Sequence, residues 1–144
     1  MGDGIGTADI RRLVADRGLM NAVVFWGSRT DVPRILRAMD AAVLCSDFES
    51  QPSAVLEYMA SALPVACTDV GNCAELIESG KTGYIFQPGD VQALAESVIR
   101  MARGEYDPEA IAARREALFA EQNPERITER YMMVYDELLR PHSA

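Results

Sequence analysis

The chain has 144 residues, 49% hydrophobic and 25% charged, enough for one domain with a sizeable core and too few for two of average size. Its 22 acidic residues against 14 basic ones give a net charge of −8, and the arginines are scattered, which argues against a nucleic-acid or anionic-membrane surface. No low-complexity tract, apolar leader or membrane-length apolar run occurs, so a folded cytoplasmic protein is expected.

The chain opens with glycines. The GDGIG segment at Gly2 to Gly6 is a weak dinucleotide fingerprint, because no strand precedes it and the third glycine is misplaced. An amphipathic helix follows, with Ile10, Leu13 and Val14 at helical spacing and Thr7 or Asp9 available as cap. Ala22 to Phe25 reads as a short strand closed by Trp26 and Gly27. Asp31 or Thr30 can cap a helix carrying Val32, Ile35, Leu36 and Met39, and Arg29 reads as a solvated loop residue. Ala41 to Leu44 suits a central strand buried on both faces.

The stretch Cys45 to Gly71, CSDFESQPSAVLEYMASALPVACTDVG, then reads as strand end, polar loop, helix, and a second strand, Pro64 to Cys67, whose leading proline is tolerated at a strand start. In an open parallel sheet the loop Ser46 to Pro52 lies where ligands bind, at a strand's carboxyl end and the next helix's amino end. With Ser50 as N-cap and Pro52 in the first turn, the amides of Gln51, Ser53 and Ala54 are left free for an anion such as phosphate. Glu57 lies five residues past Pro52, roughly 8 Å along the axis at about 1.5 Å per residue, where a carboxylate can accept from paired sugar hydroxyls. Ser53, Glu57 and Ser61 also fit the wet face of a helix whose dry face is Val55, Leu56, Met59 and Leu63, so spacing alone leaves both roles open.

Beyond Gly71 a turn leads into Cys73 to Ser79, where Glu75 suits either a strand-end site or a helix start. Tyr84 to Phe86 reads as a strand, and Pro88 to Asp90 cap a helix, Val91 to Arg103, that buries Leu94, Val98, Ile99 and Met101 or Ala102. Asp107 or Pro108 starts one further helix and Asn123 or Pro124 another, the last with Ile127, Tyr131, Val134, Tyr135 and Leu138 on one stripe. Three cysteines, Cys45 and Cys67 in strands and Cys73 in a loop, lack paired spacing and suit a reducing compartment. One histidine, His142, leaves no cluster of zinc spacing.

The segment Glu49 to Ala60, ESQPSAVLEYMA, resembles the paired-glutamate motif of retaining GT-B glycosyltransferases of family 4. PVACTDVGNCAELIESGKTGYIFQPGD at Pro64 to Asp90 is similar to that family's proline-valine strand, glycine-glutamate turn and "nGxxGxxxxpgD" tail, and Val23 to Ser46 is in register with it. The ordered set is specific where no single piece is. The resemblance implies an α/β fold, a Rossmann-like three-layer α/β/α domain with a parallel sheet followed by C-terminal helices. Residues 1–144 would form one donor-binding domain, the C-terminal half of a GT-B enzyme, without the acceptor domain or this domain's first strand.

By this resemblance Glu49 matches the first motif glutamate, near the donor-sugar hydroxyls and needed for transfer, and Glu57 the second, binding the ribose hydroxyls. Ser50, Gln51, Pro52, Ser53 and Ala54 match the loop and helix start facing sugar and diphosphate. Gly71 allows backbone to approach the donor and Glu75 helps fix its loop. Tyr58 stands where alanine is usual, Ala62 where glycine is usual, and Asn72 where glycine is frequent, asparagine tolerating positive φ better than most. The family's diphosphate-binding arginine and lysine have no counterpart, so little transfer by the chain alone is expected. No metal is expected, since no Asp-x-Asp pair occurs and Asp47 with Glu49 fits the glutamate motif. The expected partners are a nucleotide-sugar, the missing N-terminal acceptor domain and, through the exposed interdomain face, a second copy. A non-catalytic Rossmann-like interaction module is the alternative, and a GT-B epimerase a more distant one.

Overall fold

The computed structural model describes residues 6–140, so Gly2 to Ile5 of the glycine-rich opening and the tail with His142 lie outside the described residues. The chain divides between Ile35 and Leu36 into two compact units.

The first unit carries helix α1, Thr7–Asp16. Gly6 holds the cap position and no side chain caps the helix. Thr7 is therefore already helical and Asp9 a first-turn residue, where its charge suits the positive end of the dipole. Val14 is buried, while Ile10 and Leu13 are exposed. The strand expected at Ala22 to Phe25 is absent: the backbone there is irregular and finds no ladder partner among the described residues. Val24 faces solvent, and the Arg11 guanidinium lies 4.3 Å over the Phe25 ring. A short helix, α2 (Val32–Leu36), follows. The Asp31 carboxylate accepts two hydrogen bonds from Arg29, at 2.7 and 2.8 Å, which hold its carboxyl below the ordinary range.

In the second unit β1 (Ala42–Leu44), α3 (Ser53–Ala60), β2 (Val65–Thr68), α4 (Cys73–Leu76) and β3 (Gly83–Phe86) build a parallel sheet of order β1-β2-β3. Ala42, Val43 and Leu44 pair with Val65, Ala66 and Cys67, which pair in turn with Gly83, Tyr84 and Ile85. Flanked on both sides, β2 is buried throughout. Among the described residues β1 pairs with β2 alone, so the strand expected at Ala41 to Leu44 lies at the edge of the described sheet rather than at its centre, and Val43 is 39% exposed. Cys45, expected within this strand, lies just past it and is exposed.

Alternation along β2 creates two apolar layers, as the period of a strand requires. Val65 and Cys67 pack with Val55 and Met59 of α3, Cys73 and Leu76 of α4, and Leu118 of α6 (Pro108–Glu121). Ala66 packs with Tyr84, Phe86 and Met101 of α5 (Val91–Ala102) on the other face. The result is the expected Rossmann-like α/β/α sandwich. Asp90 caps α5 by accepting from the Ala93 amide at 2.9 Å. The buried stripe of α5 is Ser97 and Met101 with half-buried Leu94, while Val98 and Ile99 are 41% and 49% exposed, contrary to expectation. Ser97 tolerates burial because its hydroxyl donates to the Ala93 carbonyl at 2.7 Å.

Helix α3 ends in a Schellman motif: the Leu63 amide donates to the Tyr58 carbonyl and the Ala62 amide to that of Met59. That closure puts Ala62 at φ 57, the left-handed conformation a glycine adopts freely. The α3 terminus is also held by Arg115 of α6, which donates to the Ala60 carbonyl at 2.9 Å. Asp107 caps α6 and Asn123 caps α7 (Pro124–Leu138), each followed by proline at the first helical position. α7 buries none of its residues, so its apolar stripe does not cover the sheet.

Candidate functional site

The site begins with β1, whose apolar run ends at Leu44 and releases a polar loop at the carboxyl end of the parallel sheet. Two hydroxyl contacts order this loop. The Thr68 hydroxyl, at the end of β2, donates to the Ser46 carbonyl at 2.7 Å, tying loop to neighbouring strand. The Ser46 hydroxyl donates to Glu49 Oε1 at 2.9 Å, aiming a carboxylate that is half-buried. Beyond β3, Gln87 Nε2 donates to Asp69 Oδ2 at 3.1 Å and the Asp69 amide to the Phe86 carbonyl at 2.8 Å, which holds the next loop in the same layer of strand ends.

Gly71 joins the two loops. Its φ is +55, and a β-carbon there would stand 2.6 Å from the Ser50 carbonyl oxygen and 2.8 Å from that of Glu49. No side chain fits such a gap, so glycine is required for the 69–72 turn to lie against the Glu49 backbone. The left-handed residue is thus Gly71, whereas Asn72 adopts φ −102, and the tolerance expected of Asn72 is not called on.

Helix α3 starts two residues later than its cap chemistry suggests. Its N-cap is Pro52, not Ser50, and no side chain caps it. Pro52 is buried against the core and fixes the helix start, while Ser50, Gln51 and Ser53 face solvent. The Val55 amide is taken by the Pro52 carbonyl at 3.0 Å, and the amides of Ser53 and Ala54 have no acceptor among the described residues. Two open donors at the positive end of a helix favour an anion.

Glu57 stands exposed one turn beyond Ser53. Burial, and then the neighbouring Glu57 and Cys45, push the Tyr58 hydroxyl above its ordinary value. Glu49, Ser50 to Ala54, Glu57 and Gly71 therefore lie on one strand-end loop, the helix it opens and the turn packed on it. Glu75 is placed differently: it lines a groove of about 750 Å³ with Thr82 at the start of β3 and with Asp107 and Arg114 of the α6 region.

The model of the family described as glycosyl transferases group 1 matches residues 1–103. The chain belongs to this glycosyltransferase family. Among its relatives, N-acetyl-alpha-D-glucosaminyl L-malate synthase of Bacillus anthracis is 31% identical over 141 residues, which cover 97% of this chain and 37% of the relative. The amylovoran biosynthesis glycosyltransferase AmsK of Erwinia amylovora is 34% identical over 124 residues, 79% of this chain and 30% of the relative. The chain thus spans about a third of the length of these curated relatives. Its fold is that of GT-B glycosyltransferases: Anabaena HepE, crystallised with UDP, superposes with a TM-score of 0.81 at 22% identity, over 90% of this chain and 36% of that one.

Within this chain, two contributors to the site were not legible from the sequence. Thr68 falls just past the strand expected at Pro64 to Cys67, and Ser46 reads as the first residue of a polar loop. The Ser-x-x-Glu spacing of Ser46 and Glu49 is the one available signal, and on its own it suggests a helix capping box. No helix starts there, so the two side chains meet each other instead of backbone amides.

Proposed function

We propose that the chain is the nucleotide-sugar donor-binding domain, the C-terminal half, of a retaining GT-B glycosyltransferase of family 4, an enzyme that moves a hexosyl group from a nucleoside diphosphate sugar to an acceptor. The observation that carries this reading is the α3 start: open Ser53 and Ala54 amides bracketed by Glu49 before the helix and Glu57 one turn into it. Diphosphate oxygens accept from the amides, Glu57 accepts from the ribose hydroxyls, and Glu49 lies beside the sugar and serves transfer. Ser50, Gln51 and Pro52 shape the loop over the diphosphate, and Gly71 holds the second loop close to it. Glu75 stiffens the connection after that turn from its position on the groove. On this reading residues 1–144 belong to one donor domain of a cytoplasmic enzyme, the acceptor is held by an N-terminal domain such as the longer relatives have room for, and the chain alone transfers little sugar.

Titration calorimetry with UDP, GDP and ADP tests it, repeated on Glu57→Ala. One nucleotide should bind, and losing a carboxylate that accepts two hydroxyl hydrogen bonds should weaken it by on the order of 2 kcal/mol. A folded chain that binds none of the three refutes the donor reading. The exposed apolar stripe of α7, with Tyr131, Val134 and Leu138 all more than half exposed, favours the second reading of an interaction module that self-associates. Concentration-dependent association without nucleotide affinity supports that alternative.

A further inference from the structure

We infer that Ser46 is a positioning residue for Glu49, and that Thr68 extends its hold into the sheet; the inference rests on the donor-domain reading. The carboxylate has two oxygens, and in this structure Oε1 accepts the Ser46 hydroxyl at 2.9 Å. That leaves Oε2 to accept from a sugar hydroxyl, with the carboxylate plane set in advance. A carboxylate left to rotate on a three-bond side chain would have to be ordered at the moment of binding.

The Ser46 hydroxyl aims well only if its own peptide is fixed. The Thr68 hydroxyl fixes it, through the 2.7 Å bond to the Ser46 carbonyl. Thr68 is 1% exposed at the end of the central strand, so this anchor cannot drift with solvent. The Gly71 turn abuts the carbonyls of Glu49 and Ser50 and limits how far that peptide can move toward the turn. Strand end, serine and carboxylate form one chain of donors and acceptors, each link oriented by the one behind it.

A purely structural Ser46 and a positioning Ser46 differ in what they protect. The structural role serves the whole loop, hence the diphosphate as well as the sugar; the positioning role serves the sugar alone. The test is calorimetry of the parent chain, Ser46→Ala, Ser46→Thr and Thr68→Val against UDP, UDP-glucose, UDP-galactose and UDP-N-acetylglucosamine, with melting curves as a fold control. The parent should bind one UDP-sugar more tightly than UDP. Ser46→Ala should cut that preference about tenfold while leaving UDP affinity unchanged. Ser46→Thr should restore it, and Thr68→Val should lower it in the same direction.

Full retention of the sugar preference in Ser46→Ala overturns the inference and leaves the donor reading intact. Equal weakening of UDP and UDP-sugar in a folded Ser46→Ala also overturns it, by assigning Ser46 to the loop as a whole. A parent that binds UDP without preferring any of the three sugars removes the sugar contact and the inference with it. A parent that binds none of UDP, GDP and ADP removes the donor reading itself, and one that binds GDP or ADP instead carries the same comparison over to the sugars of that nucleotide.

Discussion

Replacing Ala62 with glycine should stabilise the protein. Ala62 holds φ 57 because it is the residue after the cap of α3, where the Leu63 and Ala62 amides close back onto the Tyr58 and Met59 carbonyls. A β-carbon in that conformation costs roughly 1–2 kcal/mol, since it crowds the neighbouring backbone. Glycine removes the crowding but gives the unfolded chain more freedom, worth about 0.4–1 kcal/mol in the opposite sense. The expected net gain for Ala62→Gly is therefore about 1 kcal/mol. For a chain of this length that corresponds to a melting temperature higher by roughly 3–4 °C. Urea unfolding followed by far-ultraviolet circular dichroism gives the cleaner reading: at a slope of about 2 kcal/mol per M the midpoint should rise by roughly 0.5 M with the slope unchanged. An unchanged or lowered midpoint would refute the reasoning, because it would mean that the α3 terminus carries no left-handed strain at Ala62.

Gly71→Ala tests the same conformation where the space is also filled. With a β-carbon 2.6 Å from the Ser50 oxygen, it should cost about 2–4 kcal/mol and remove nucleotide binding; a variant that melts with the parent would deny the close approach. Arg115→Ala loses the bond to the Ala60 carbonyl and the guanidinium's place 5.3 Å over the Phe119 ring, so chemical unfolding should register a loss of about 1 kcal/mol. Arg29→Ala breaks an ion pair open to solvent, and its melting curve should overlay the parent's. A native chain treated with a disulfide-exchanging thiol reagent should show Cys45 reacting promptly. Cys67 and Cys73 are fully buried, with burial pushing the Cys67 thiol upward, so they should react only on unfolding.

What the sequence made legible follows the reach of each interaction. The caps at Asp90, Asp107 and Asn123 act over two or three residues, and all three hold amides of the helices they precede. β2 and β3 are apolar runs whose faces are filled from both sides, so composition alone points to them. Ala22 to Phe25 has the same composition and is not a strand, because strandedness belongs to a pair and no described residue pairs with it. α5 shows the limit within a single helix: Val98 and Ile99 are the more apolar residues, but packing against Ala66, Tyr84 and Phe86 turns Met101 inward and carries Ser97 with it. The α7 stripe was legible as a stripe, and its lack of cover was not.

The site divides along the same line. Its contiguous part, Glu49 to Glu57, could be read because loop, helix start and carboxylates follow one another in sequence. Pro52 took the cap position from Ser50 because a buried ring fixes the backbone more firmly than a solvent-facing hydroxyl does. The part that orients Glu49 could not be read, because Thr68 reaches Ser46 across 22 positions and Gly71 reaches Ser50 through a gap only the β1–β2 register defines. A one-residue slip in that register would turn Thr68 to the opposite face of the sheet and release the Ser46 carbonyl. The aim of the candidate catalytic carboxylate is thus a property of how two strands pair. Substitutions that shift β1 against β2, far from any ligand, should disturb Glu49 before they disturb the open amides of Ser53 and Ala54, which depend on α3 alone.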